Sequence, residues 1–281
     1  MPHAVAPFDS LRMLRLYSSS LNSYLRGFAG GIPVPEQSPR EWQQVYTKRQ
    51  FAKMLDHTLL KPTATRADVI RFCDEAKKLH FCAVVVLPYW LPVIVRELDD
   101  TDVKPCTVVD FPYGAGGVYA KLSEARRTIG QGAQELDVVM NISAFKSGDE
   151  AVVQRELEEL TAAVSVARMT QGEHRVLVKV IIETAYLSER EKIRAAEIVR
   201  EAGADFVKTS TGTAPTGATS DDILLIRRVV GPDMGVKAAG GIRTMEQAMA
   251  MFDAGANRIG TSCAVEIAQS FDPQAYLAGT G

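Results

Sequence analysis

Five charged side chains stand inside otherwise apolar segments of this 281-residue chain. They are Asp56, Asp137, Lys179, Lys208 and Lys237. Charged side chains are rarely fully buried unless they are paired or have a function. Their presence in segments that read as buried strands therefore predicts a mixed-charge cluster with a chemical task.

Lysines in such a cluster suit imine chemistry. A lysine must lose its proton before it attacks a carbonyl, and its ordinary pKa is about 10.4. Two ammonium groups about 6 Å apart at an effective dielectric near 20 repel by roughly 3 kcal/mol, or about two pKa units. Partial burial acts in the same direction. One lysine can thus keep another neutral, a carboxylate can move protons, and the protonated imine can accept electrons from a breaking carbon–carbon bond.

The charged segments belong to a regular alternation of strand and helix patterns from residue 51 onward. Near-continuous apolar runs predict eight strands, as expected of parallel strands buried on both faces. These strands are residues 54–60, 82–88, 106–112, 135–142, 175–183, 205–210, 234–240 and 258–262. Helical patterns follow them, for example at residues 66–80, 150–169, 188–202 and 245–254. Thr65 and Asp68 form a capping-box pattern before the first of these helices.

Eight strand–helix units predict an α/β fold, a closed TIM (β/α)8 barrel with an N-terminal extension. An open doubly wound sheet is the alternative, but its usual glycine fingerprint is missing after the first strand, which runs into LLKPTAT. We expect an extension over residues 1–50, serving as an arm, a tail or a transit peptide, and a barrel with a short tail over residues 51–281. Catalytic groups of TIM barrels lie at the C-terminal strand ends. We therefore expect the three lysines at matching positions there.

Glycine-rich segments follow the last three predicted strands, at residues 210–219, 239–244 and 259–262. Loops after strands seven and eight commonly hold phosphate in TIM barrels. Glycine leaves backbone N–H groups free to converge on an anion. The sequence therefore predicts a phosphate site beside the lysine cluster.

Composition narrows the classes of function. The net charge of -2, without basic clusters, gives no support to nucleic-acid or membrane-surface binding. The four histidines are scattered and no H-E-x-x-H motif occurs, so we expect no metal site. The four cysteines form no C-x-x-C pair, and with no secretory signal they indicate a cytoplasmic protein. No apolar run has the length of a transmembrane helix.

Six motifs resemble the deoxyribose-phosphate aldolases. In order they are DHTLLKP (56–62), EAKKLHF (75–81), LDVVMNI (136–142), LVKVIIET (177–184), GADFVKTSTG (203–212) and GVKAAGGIRT (235–244). The match spans about residues 51–270, and VKTSTG with VK-x-x-GG-[IV]-R-T is its most specific part. The resemblance implies reversible cleavage of 2-deoxy-D-ribose 5-phosphate to D-glyceraldehyde 3-phosphate and acetaldehyde, through a lysine Schiff base and without a cofactor.

The resemblance also implies a role for each matching residue. Lys208 matches the Schiff-base lysine, Lys237 the second lysine that lowers its pKa, and Asp137 an acid/base aspartate working through a water. Asp56 matches a supporting aspartate near the substrate. The residues matched to substrate or phosphate binding are Lys179, Thr209, Gly212, Gly240, Gly241, Gly260 and Ser262. In some relatives a tail tyrosine assists proton transfer, and Tyr276 is the candidate here, although we favour packing of its ring against the outer wall of the barrel.

The chain departs from the family pattern at four positions. Val85 and Leu87 stand where many relatives have polar residues, so one wall of the pocket is expected to be apolar. Asp110 adds a charge to the loop after the third strand. Thr213 stands where some relatives carry a phosphate-binding lysine.

Two other functions stay open. One is another Schiff-base aldolase acting on a different phosphorylated carbonyl substrate, which a substrate panel would separate. The other is a non-catalytic phosphate-binding barrel, whose sign would be a missing lysine. The expected partners are a small phosphorylated sugar and acetaldehyde, with neither nucleic acid nor membrane. A homo-oligomer is expected, with a dimer as its form.

Overall fold

A computed structural model describes residues 47–170 and 176–272 of the chain. Residues 1–46 of the predicted extension, and the tail with Tyr276, lie outside the described residues. Eight parallel strands close into a barrel in chain order, with β8 paired to β1. The predicted TIM barrel is therefore confirmed. None of the helices in the described ranges combines the length and apolarity needed to cross a membrane.

All eight predicted strands are present. They are β1 Leu55–Leu59, β2 Ala83–Val86, β3 Lys104–Val109, β4 Glu135–Val139, β5 Leu177–Ile181, β6 Phe206–Lys208, β7 Gly235–Ala239 and β8 Arg258–Thr261. All eight predicted strands run past the observed C-terminal end, in several cases because apolar residues continue into the loop. Met140, for example, is fully buried just after β4.

Helices surround the barrel. They are α1 Lys48–Ala52, α2 Arg66–Leu79, α3 Leu91–Glu97, α4 Gly117–Gly130, α5 Ile142–Lys146, α6 Glu150–Thr170, α7 Glu189–Glu201, α8 Ser220–Val230, α9 Met245–Asp253 and α10 Ala264–Ser270. The capping box before α2 is confirmed. The Asp68 N–H donates to Thr65 Oγ1 at 3.3 Å, and the Thr65 N–H donates to Asp68 Oδ2 at 2.9 Å.

The period of two along each strand separates the apolar core from the charged interior. Alternate residues of a strand point to opposite faces of the sheet. In β6, Val207 joins the core between the strands and the helices, so Lys208 points into the barrel. Val236 and Ala238 of β7 likewise join that core, which directs Lys237 inward. The fold thus places charges inside the barrel without breaking the apolar layer around it.

Helix α1 crosses the boundary predicted between residues 50 and 51. Phe51 is fully buried and stacks on Phe271, with ring centroids 4.2 Å apart. The Thr47 hydroxyl accepts the Gln50 N–H at 3.2 Å and caps the helix. Residues 47–50 of the predicted extension are therefore the exposed cap and first turn of a helix whose buried residues, Phe51 and Ala52, attach it to the barrel.

Deleting residues 1–46 should leave the barrel folded and active, because the charged cluster and α1 are both retained. In that truncated chain, Phe51→Ala should lower the free energy of unfolding by about 3–5 kcal/mol, since a large buried ring is lost. Tyr119→Ala is the matched control because this side chain is 86% exposed. Thermal or denaturant unfolding measures the difference in stability between the Phe51→Ala and Tyr119→Ala variants. A truncated chain that folds but is inactive would show instead that the extension completes the site.

Candidate active site

The carboxylate of Asp137 is the centre of the charged cluster. Its Oδ2 accepts hydrogen bonds from Lys208 Nζ at 2.7 Å and from Lys237 Nζ at 2.8 Å. Its Oδ1 accepts from Lys179 Nζ at 2.8 Å. Asp56 Oδ2 lies 2.5 Å from Lys237 Nζ. The structure therefore brings all five predicted charged residues together inside the barrel.

Lys208 and Lys237 are close enough for strong repulsion. Both nitrogens bind the same oxygen, at 2.7 and 2.8 Å, so their separation cannot exceed the sum of those distances, 5.5 Å. The two residues are also direct register partners in β6 and β7. This geometry matches the spacing assumed for one lysine to act on the other.

Lys179 does not lie at the level of the other two lysines. Its register partner in β6 is Phe206, while Lys208 pairs with Ile181 of β5. The expectation of three matching positions is therefore wrong for Lys179, which stands two residues nearer the N-terminal end, about 7 Å along a strand. Carboxylates enclose it there, so the structure does not place it among the C-terminal loops.

The three lysines differ in how many carboxylates hold them. Within the described residues, Lys208 lies within 4 Å of one carboxylate, Asp137. Lys237 contacts two, Asp56 and Asp137. Lys179 has three within the same distance, with Glu135 at 2.6 Å, Asp137 at 2.8 Å and Asp56 at 3.9 Å. Because opposite charges stabilise the protonated amine, Lys208 is the least stabilised as an ammonium.

The pKa directions follow this order. Burial lowers the pKa of Lys208 below its ordinary value; the attraction of Asp137 opposes the decrease, and the positive charge of Lys237 adds to it. The repulsion emphasised from the sequence is thus real but smaller than burial. Burial also favours neutral Lys237, yet Asp137 and Asp56 outweigh it and raise the pKa of Lys237. Carboxylates raise the pKa of Lys179 well above its ordinary value in the same way.

Asp137 is the ionised member that the lysines hold. Burial favours its protonated form, but the three lysines keep its pKa well below the ordinary value. An ionised carboxylate 2.7 Å from Lys208 Nζ is placed to receive a proton from that amine. This geometry supports the acid/base role implied by the resemblance, which stays a prediction.

Two charged residues of the cluster were missed from the sequence. Arg258 Nη1 lies 2.7 Å from Asp56 Oδ1 and 3.5 Å from Glu135 Oε2. Each of the two begins a strand, where charged residues are commonly solvent-exposed. The available signal was the spacing of Glu135 and Asp137, since residues two apart share one face of a strand.

Glycines bring two of the predicted phosphate loops together. The Ala218 N–H, in the β6–α8 loop, donates to the Gly240 carbonyl, in the β7–α9 loop, at 3.1 Å. A Cβ on Gly217 would meet that carbonyl oxygen at 2.0 Å, so only glycine fits there. Gly212 and Gly240 both have φ of +87°, a conformation that favours glycine. Phosphate binding by these loops stays a prediction, and Gly217 is a position the sequence analysis did not single out.

The other predicted phosphate residues divide into two groups. Gly241 and Ser262 are exposed just beyond the C-terminal ends of β7 and β8. Gly260 lies within β8 and not in the loop after it. A Cβ there would come within 2.9 Å of Lys237 Cε, so the missing side chain makes room for that lysine.

Thr209 and Ser210 use their hydroxyls differently. Thr209 Oγ1 donates to the Ala239 carbonyl at 3.2 Å and accepts the Ala239 N–H at 3.1 Å, which joins β6 to β7. Contact between Thr209 and substrate therefore stays a prediction. Ser210 Oγ is buried without a hydrogen-bond partner in the part of the chain described. That hydroxyl is a candidate ligand contact, and its position two residues after Lys208 was the only sequence signal for it.

The structure shows what surrounds the residues that depart from the family pattern. Val85 packs inside the barrel with Cys106 and Val108, and Leu87 packs against them, so the expected apolar wall is present. Asp110 Oδ2 lies 2.9 Å from Lys121 Nζ, a fully buried amine, which accounts for the added charge.

Thr213 Oγ1 lies 2.8 Å from Thr211 Oγ1 in the β6–α8 loop. Across residues 47–170 and 176–272, no group of three or more His, Cys, Asp and Glu side chains is placed to hold a metal ion.

Comparisons with known proteins agree with this geometry. Residues 50–270 match the model of the DeoC/LacD family aldolase. A deoxyribose-phosphate aldolase of Thermococcus gammatolerans is 54% identical over 221 residues, covering 78% of this chain and 95% of the relative. One from Caldanaerobacter subterraneus subsp. tengcongensis is 50% identical over 224 residues, covering 80% of this chain and 94% of the relative.

Solved structures give the same result. An Aeropyrum pernix deoxyribose phosphate aldolase, described as a unique tetrameric structure, is similar with a TM-score of 0.74 and 33% identity, covering 85% of this chain and 98% of that one. QR15, an aldolase, has a TM-score of 0.73 and 40% identity, covering 81% and 97%. The resemblance seen in the motifs is confirmed, and the chain belongs to the DeoC/LacD family of aldolases.

Proposed function

We propose that this aldolase reversibly cleaves 2-deoxy-D-ribose 5-phosphate to D-glyceraldehyde 3-phosphate and acetaldehyde, through an imine on Lys208. One observation carries the proposal. Among the three lysines described inside the barrel, Lys208 alone has a lowered pKa and a single carboxylate contact. The relatives named deoxyribose-phosphate aldolase, matched over nearly their full length, support the substrate.

The first half of the reaction forms the imine. Neutral Lys208 Nζ attacks the C1 aldehyde carbon of the open-chain sugar, and the proton lost by nitrogen passes to Asp137. Asp137 returns that proton to the C1 oxygen, and a second proton from solvent lets this oxygen leave as water, which leaves a protonated imine and an ionised Asp137. Asp137 Oδ2, 2.7 Å from Lys208 Nζ, then stabilises the positive charge that the imine carries.

The second half breaks and rebuilds bonds at C2. Asp137, working through a water as the resemblance implies, removes the C3 hydroxyl proton. The C2–C3 electron pair moves into the protonated imine, and glyceraldehyde 3-phosphate leaves with its new C3 aldehyde. The enamine that stays on Lys208 takes a proton at C2. Water then adds to the imine carbon and the C–N bond breaks, which releases acetaldehyde and the free amine.

The cluster serves both charge states of Lys208. Before attack, burial and the Lys237 cation favour the neutral amine. After attack, the same nitrogen is positive and Asp137 pairs with it. Lys237 stays protonated throughout, because Asp56 and Asp137 both hold it.

Two opposite sides of the barrel interior differ in chemistry, and the phosphate end of the substrate would bind on one of them. Gly212, Gly240, Gly241 and Ser262 follow β6, β7 and β8 and would hold the phosphate. The apolar wall around Val85 lies on β2 and β3, across the closed barrel from β6 and β7.

The oligomeric state and the cellular compartment of the protein can also be proposed. We expect self-association, because the Aeropyrum pernix relative is described as a tetramer. Light scattering of the full chain would decide between that number and the dimer expected from the sequence. The four cysteines are free thiols, which fits a reducing compartment such as the cytoplasm.

Borohydride reduction in the presence of acetaldehyde should add one two-carbon unit to Lys208. We expect this result because Lys208 contacts a single carboxylate and is therefore the lysine that loses its proton most readily. Peptide mass spectrometry identifies the labelled residue. Lys208→Arg is the control and should abolish the label. A label on Lys179 or Lys237 in the wild-type chain would contradict the assignment of Lys208 as the imine-forming lysine.

Lys237→Leu should raise the pKa of Lys208 for two reasons. A repelling cation is removed, and Asp137 then pairs with Lys208 and Lys179 alone among the lysines of the cluster. The midpoint of activity against pH should move upward by as much as about two units, with kcat at neutral pH falling accordingly. Full pH profiles of kcat and kcat/KM measure this shift. An active variant with an unchanged profile would contradict it.

Deoxyribose without phosphate should be a poor substrate, because the glycine loops have no anion to bind. We expect kcat/KM to fall on the order of 100-fold, about 2.7 kcal/mol of lost transition-state stabilisation. Inorganic phosphate should compete with the phosphorylated sugar. Comparable kcat/KM for the two sugars would count against the phosphate site, and a panel of other phosphorylated carbonyl compounds tests the rival aldolase activity.

A further inference from the structure

A buried cation that the proposed reaction steps do not use, Arg258, lies beside Lys237, its register partner in the neighbouring strand. Arg258 begins β8 and points into the barrel, with Nη1 2.7 Å from Asp56 Oδ1. Its guanidinium also lies over the Phe206 ring, 5.5 Å from the centroid, and its Nη1 is 3.5 Å from Glu135 Oε2. Two carboxylates and an aromatic face thus fix the position of this charge.

The cluster with all its groups ionised is not neutral. Its carboxylates are Asp56, Glu135 and Asp137, and its cations are Lys179, Lys208, Lys237 and Arg258. Four positive charges therefore face three negative ones inside the described barrel. Uncompensated buried charge is strongly unfavourable, so the cluster is most stable when one cation loses its proton.

The other titratable groups that face the cluster do not change this balance. Burial raises the pKa of the Cys106 thiol, 3.4 Å from Lys179 Nζ, and keeps it neutral. Burial raises the pKa of Cys82 to about 12. Glu183, beyond the end of β5, directs its carboxylate to the Thr211 N–H at 3.1 Å, outside the cluster.

Lys208 is the member that can lose a proton at least cost. Arginine stays protonated in proteins, so Arg258 cannot do so. Lys179 and Lys237 are held by three and two carboxylates, whereas Lys208 is held by one. The surplus charge supplied by Arg258 is therefore relieved at Lys208.

We propose that Arg258 is a positioning residue whose fixed charge, bound to Asp56 and Glu135, makes Lys208 the neutral member of the cluster. The inference rests on the proposed function, because it concerns the state of the imine-forming amine. Glu135 should have the opposite effect on Lys208, because removing this carboxylate increases the surplus of positive charge in the cluster. A merely structural role for the pair would give no such opposition of sign.

The test is the pH dependence of imine formation in the full chain, trapped with acetaldehyde and borohydride and read at Lys208. Arg258→Met should move the midpoint upward by about one pH unit, the order of magnitude expected when one charge is removed from a buried cluster at an effective dielectric near 20. Glu135→Gln should move it downward by a similar amount. The double variant should return near the wild-type midpoint, and Arg258→Lys, which keeps the charge, should stay near it.

The outcomes separate the two proposals. A folded Arg258→Met with an unmoved midpoint, or two single variants that shift in the same direction, would overturn the role of Arg258. If Arg258→Met does not fold, Glu135→Gln and the double variant decide, and a Glu135→Gln midpoint that fails to fall overturns the inference. If the wild-type chain forms no imine at Lys208, the proposed function fails and this inference falls with it.

Discussion

The carboxylate of Asp137 is the contact on which the barrel interior depends. Three lysine amines reach its two oxygens at 2.7–2.8 Å, and without it Lys208 would have no carboxylate within 4 Å among the described residues. Removing one partner of a buried ion pair typically costs about 3–5 kcal/mol, so this residue couples stability to chemistry. The sharing is unequal, because Lys179 and Lys237 have further carboxylate contacts, whereas Lys208 has no other among the described residues. That inequality, more than any single distance, selects the reactive amine.

The rest of the fold keeps this arrangement in place. Alternate strand residues build an apolar layer between strands and helices, which shields the cluster from water and leaves its charges to one another. Gly260 leaves space for the Lys237 side chain. Thr209 binds the backbone of β7 through both its donor and its acceptor, so the strands that carry Lys208 and Lys237 keep their register. A small shift of either strand would change which carboxylate each lysine meets.

Much of this could be predicted from the sequence. Charged residues in apolar runs led to Asp56, Asp137 and the three lysines, and the rhythm of strands and helices led to the barrel. The level of Lys179 could not be predicted, because the stagger between neighbouring strands of a barrel is set by closure of the whole ring. Glu135 and Arg258 escaped notice because a charge at the start of a strand looks solvent-exposed until the opposite strands are in place. Gly260 was predicted to bind phosphate, and only the position of the Lys237 side chain shows that the glycine makes room for this lysine.

The most direct test of the central claim is a titration of the lysine side-chain amines by ¹⁵N NMR in the wild-type chain. The lysines of the cluster should differ, with one amine titrating below the ordinary value of about 10.4 and two staying protonated above it. The low-titrating signal should disappear after reductive alkylation with acetaldehyde, which identifies it as Lys208. If the signal lost on alkylation titrates at or above the ordinary value, or if all three amines titrate alike, unequal sharing of Asp137 does not select the nucleophile.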